Sequence, residues 1–118
     1  MLSSDIHPAI DYHVTTHKDG TVLLELSGDL DLATAPTVQA ALRQVTSEPP
    51  PLLVIDLRAV TFLDSAGVLL LLQAYRRQRT TKQSLRLVLN PRQGVYRVLV
   101  ISGLLQLTGI EWDTEVRS

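Results

Sequence analysis

Ser65 is the residue of this chain best placed to do chemistry. It follows Asp64 and precedes Ala66 and Gly67, and positions 68–72 are all apolar. Small polar residues ahead of an apolar run mark a helix start, so the Ser65 hydroxyl stands at the positive end of a helix dipole. A phosphate there would bring about -1.5 to -2 charges and face the amides that a first helical turn leaves without partners. The fold can carry that charge, whereas an apolar contact with a partner would have to desolvate it. Asp64 supplies a carboxylate able to orient the hydroxyl or assist its deprotonation. Asp and Ser are also preferred capping residues, and a purely structural cap accounts for the same spacing.

Other chemistry-bearing residues form weaker patterns. Asp29 and Asp31 are paired acids on a Gly-Asp step that suits a cation, an acid-base pair or simply a solvated turn. The three histidines, His7, His13 and His17, lie in the first 17 residues. His13 and His17 can share a strand face, but two histidines without a third ligand do not make a metal site. Ser65 lacks the preceding glycine of a nucleophile elbow, and no Gly-rich phosphate loop is present. These absences argue for a protein that is not an enzyme and needs no cofactor. Arg76, Arg77 and Arg79 suit either an acidic partner or the negative end of a helix dipole.

The elements that must position Ser65 follow from periodicity. Residues 10–16 read as a strand, Lys18-Asp19-Gly20 as a hairpin turn, and residues 21–27 as the antiparallel partner. Gly28-Asp29-Leu30-Asp31 is expected to break that strand. Thr34 and Pro36 mark a helix start, and Val38, Ala41, Leu42 and Val45 give the helix one apolar face. After a proline-rich turn, residues 52–57 read as a strand buried on both faces. In the helix begun at Ser65, Val68, Leu71, Leu72 and Tyr75 form the stripe expected to face the sheet. Leu69, Leu70 and Gln73 fall outside it, and with Ser65 they outline a surface free to dock a partner. Leu85, Leu87 and Leu89 mark a further strand, residues 93–102 a third helix ended by Gly103, and residues 105–112 an edge strand. The order β-β-α-β-α-β-α-β predicts an α/β fold: an N-terminal antiparallel hairpin, then strand-helix alternation in one mixed β-sheet covered by amphipathic helices.

With 118 residues, the chain has the length of one domain, expected to have its core at about 10–112 with short polar arms at both ends. It has no cysteines, which excludes disulfides and thiol chemistry. Eleven basic against twelve acidic residues, net -1, argue against direct nucleic-acid binding. The N-terminus lacks the pattern of a signal peptide, and the longest apolar run falls far short of the ~20 residues that span a bilayer. The expected location is the cytoplasm, without membrane insertion.

These residues together carry a family resemblance. Ser27-Gly28-Asp29-Leu30-Asp31 with Thr34-Ala35, then Val54-Ile55-Asp56-Leu57 with Thr61-Phe62-Leu63-Asp64-Ser65-Ala66-Gly67, and finally Ile101-Ser102-Gly103-Leu104 resemble the STAS domain. Within that family the chain is most similar to the small single-domain anti-sigma factor antagonists (anti-anti-sigma factors) of bacteria. The resemblance implies a phosphoprotein whose Ser65 is phosphorylated by a partner that is both anti-sigma factor and serine kinase. The unphosphorylated form would bind that kinase and free a sigma factor until phosphorylation ends the binding, and a serine phosphatase would restore it. Asp29 and Asp31 match the acidic loop beside the acceptor, and Asp64 the neighbouring carboxylate. Asp29 stands where glutamate is more usual, and Ala66 where a second hydroxyl is common. The partner-binding set is then Asp29, Asp31, Asp64, Ala66, Gly67, Leu69, Leu70 and Gln73, on a monomer or weak homodimer. STAS domains also serve as constitutive adaptors: stressosome scaffolds, accessory subunits of lipid transporters and tails of anion transporters.

Overall fold

A Lys18-Asp19-Gly20 turn closes the first hairpin of the computed structural model, which describes residues 10–116; the expected N-terminal polar arm and His7 lie outside the described residues. Gly20 takes a φ of 92°, its amide donates to His17 O (3.0 Å), and Asp19 Oδ1 accepts from the Thr21 amide (2.9 Å). The turn joins β1 (Ile10–Thr16) to β2 (Val22–Leu30) in antiparallel register. The chain continues through α1 (Ala35–Val45), β3 (Leu52–Leu63), α2 (Ser65–Thr80), β4 (Ser84–Val88), α3 (Gly94–Ser102), a short 3-10 turn and β5 (Ile110–Asp113). The five strands lie in sequence order, with β2 to β5 parallel.

One face of this mixed sheet is covered by all three helices. Leu24, Ile55 and Leu87 occupy it, fully buried in one cluster with Val38 and Leu42 of α1, Leu71 of α2 and Leu99 of α3. Burying each such side chain stabilises the fold by about 1.5 to 3 kcal/mol, enough to fix which way each amphipathic helix faces.

Three expectations are corrected. Gly28 does not end β2: it takes a φ of 108° and stays paired with Val60, and at both register shifts the extra residue lies on β3, so β3 bulges past β2 and β2 runs on to Leu30. β3 likewise runs to Leu63, six residues past Leu57, and keeps Val60 and Leu63 buried. The last segment, expected as one strand, begins instead with the 3-10 turn Leu104–Gln106 after Gly103 (φ 80°), and only Ile110–Asp113 pairs with β4.

The α2 face is also rotated from the expected one. Its buried side is Gly67, Leu70, Leu71, Ala74 and Gln78, while Val68, Leu72 and Tyr75 are half-buried against the core. The cause is α1, which packs beside α2 as a second neighbour and draws the buried arc toward itself. Gln39 and Leu42 of α1 line a shared cleft with Leu70 and Ala74 of α2.

Gln78 ends the buried arc with a polar group. Its Nε2 donates to Pro50 O (2.9 Å) and Ser84 O (2.7 Å), tying the end of α2 to the loop before β3 and the start of β4. Gln78→Ala should lower the unfolding free energy by about 2 to 4 kcal/mol, because it leaves a cavity and two carbonyls without their donor. Urea denaturation checks this, and a loss below about 0.5 kcal/mol would contradict it.

Candidate functional site

The site lies where β2 and β3 end together. Leu30 pairs with Leu63, and the next amide, that of Asp64, donates to Leu30 O (3.3 Å). Asp64 then caps α2: its Oδ1 accepts from the amides of Ala66 (2.9 Å) and Gly67 (3.3 Å), and its Oδ2 accepts from the Leu32 amide (3.3 Å). One carboxylate thus joins the helix start to the loop that follows β2.

That loop is held by its own polar side chains. Asp31 Oδ1 accepts from the amides of Ala33 (3.0 Å) and Thr34 (3.1 Å). Thr34 precedes α1, as expected, but its hydroxyl does not cap the helix; it is buried and donates to Asp29 O (2.8 Å). Asp29 Oδ1 accepts from the Thr61 hydroxyl (3.0 Å). Asp29, Asp31 and Asp64 therefore converge on the end of the sheet that carries Ser65.

Ser65, first residue of α2, is exposed, and its hydroxyl makes no hydrogen bond among the described residues. The expectation that a phosphate would meet free amides needs correction, since Asp64 already occupies those of Ala66 and Gly67.

The expected partner-binding residues divide. Leu69 is 51% exposed, one turn beyond Ser65, and Gln73 is half-buried. Ala66, beside the serine, is half-buried. Leu70 is corrected: at 4% exposure it packs toward α1, out of reach of a partner. Gly67 is buried too, and a Cβ there would lie 2.9 Å from Leu30 O, so its role is to let α2 approach β2. Two residues escape the sequence reading. Leu32 (78% exposed) and Phe62 (50%) stand on the segments that Asp64 and Asp29 hold. Neither has a periodic neighbour to mark it, and the only signal is a large apolar residue beside an acidic turn.

Two hollows, of about 630 and 570 Å³, lie elsewhere. The first is lined by Leu23, Val54, Arg86 and Trp112, the second by Glu25, Asp56 and Arg58, and neither includes Ser65. Among the described residues no group of three or more His, Asp or Glu side chains is arranged to hold a metal ion, and no helix is long and apolar enough to cross a membrane.

A sheet covered on one face by helices, with a capped and exposed serine where β3 meets α2, defines a class of small α/β domain. The chain belongs to the STAS domain family, whose model matches residues 12–115. It is 42% identical over 53 residues to the anti-sigma-F factor antagonist RsfB of Mycobacterium tuberculosis, a match covering 45% of this chain and 43% of that relative's length. A crystal structure of an anti-sigma factor antagonist from Mycobacterium paratuberculosis is 31% identical, with TM-score 0.73, over 87% of this chain and 86% of that one. The anti-sigma factor antagonist SpoIIAA in its unphosphorylated form shares the fold at 22% identity, with TM-score 0.72, over 89% of this chain and 90% of its own.

Asp64→Ala should cost about 1 to 2 kcal/mol of stability, the usual loss for an N-cap. Chemical denaturation measures it, and an unchanged midpoint would contradict the cap's role.

Proposed function

We propose that this chain is an anti-sigma factor antagonist that works by binding rather than catalysis and is switched at Ser65. The unphosphorylated form binds an anti-sigma factor that is also a serine kinase, releasing a sigma factor, and phosphorylation of Ser65 ends the binding. The observation that carries the reading is an exposed hydroxyl without a hydrogen-bond partner among the described residues, with exposed Leu69 one turn along the same helix and exposed Leu32 on the loop that Asp64 holds. The relatives named as anti-sigma factor antagonists support it.

The physical basis is an asymmetry. Exposed charge at Ser65 remains in water in the free protein, whereas a partner covering the apolar side chains must strip water from it. Asp29, Asp31 and Asp64 give the surface negative charge, which suits basic groups on the partner.

Incubation with the candidate serine kinase and ATP should place phosphate on Ser65, located by mass spectrometry. Ser65→Ala should retain the partner, and Ser65→Asp should weaken binding by roughly 100-fold, about 2.7 kcal/mol. Binding that survives Ser65→Asp would instead indicate a constitutive adaptor.

A further inference from the structure

We propose that β1 is a self-association edge, pairing antiparallel with β1 of a second copy about a two-fold axis at His13. Among the described residues β1 is a seven-residue edge strand, Ile10–Thr16, and it lacks the lysine, proline or bulge that normally blocks strand addition. The opposite edge, β5, has four residues and carries Glu111 and Asp113.

The backbone fixes which groups are on offer. The His17 amide donates to Thr21 O (2.8 Å), making these two a hydrogen-bonded pair. Antiparallel ladders alternate hydrogen-bonded and non-hydrogen-bonded pairs, so Asp11, His13 and Thr15 turn their peptide groups toward β2. Ile10, Tyr12, Val14 and Thr16 turn theirs outward.

A two-fold axis at His13 sets Tyr12 opposite Val14 of the second copy and Ile10 opposite Thr16, so every outward group gains a partner. Tyr12 (46% exposed) and Val14 (37%) then form aromatic to β-branched cross-strand pairs, a favourable combination. Charges are compatible: Asp11 faces Thr15, and each His13 lies 3.7 Å from Glu25 of its own chain. Ser65 follows β3, with β2 between it and β1, so the contact leaves both sites free. One strand pair covers less than the ~1,200 Å² of a standard interface, which makes the dimer weak.

Sedimentation equilibrium from about 10 μM to 1 mM should show the mass rising from 13.0 kDa toward twice that value. Val14→Pro removes an outward amide, spares the β1-β2 ladder and should hold the protein at the monomer mass. The chain has no cysteine, so register can be tested directly. His13→Cys should form a disulfide-linked dimer under mild oxidation, because a non-hydrogen-bonded pair sets the Cα atoms about 4.5 Å apart. Asp11→Cys should not, since its counterpart lies four residues away, about 13 Å along the strand. A monomer at the highest concentration, or equal cross-linking by the two cysteine variants, would overturn the proposal. The cysteine pair decides the matter if Val14→Pro does not fold.

Discussion

The Asp64 carboxylate and its backbone hold together three parts of the chain that are distant in sequence. Through its amide Asp64 closes β3 against Leu30, through Oδ1 it caps α2, and through Oδ2 it anchors the Leu32 amide. The position of Ser65 depends on all three, because the serine is the next residue and has no side-chain bond of its own among the described residues. The approach of α2 to β2 depends in turn on Gly67, where a Cβ would press on Leu30 O.

This cap also shapes the proposed switch. With two first-turn amides already bonded to Asp64, a phosphate on Ser65 is not captured by the helix and stays in solvent beside three carboxylates. The helix dipole favours it by only about 0.3 to 1 kcal/mol, and solvent screens the repulsion from its neighbours. Phosphorylation then leaves the fold largely undisturbed and acts at the surface a partner would cover.

Much of this is legible in the residues. The Asp19-Gly20 turn, the α1 face of Val38, Ala41 and Leu42, and a helix start at Asp64-Ser65 each have a local signature and appear in the structure, though the capping side chain is Asp64, which makes no bond to the Ser65 hydroxyl. What is illegible depends on tertiary neighbours. Positions 68–72 are all apolar and carry no mark of which side faces α1, so periodicity alone puts Leu70 on the wrong face. Gly28 reads as a strand end because only its pairing with Val60 of β3 shows that the strand continues through it. Leu32 and Phe62 stand out only once the fold leaves them exposed.

The central claim is that charge on Ser65 is inexpensive for the fold and costly only at an interface. The most direct measurement is the unfolding free energy of the protein carrying phosphate on Ser65 against that of the unmodified protein. The account predicts agreement within about 1.5 kcal/mol, the scale of a screened surface charge beside a helix terminus. A loss of more than about 3 kcal/mol would contradict it and place the switch in the stability of the fold itself.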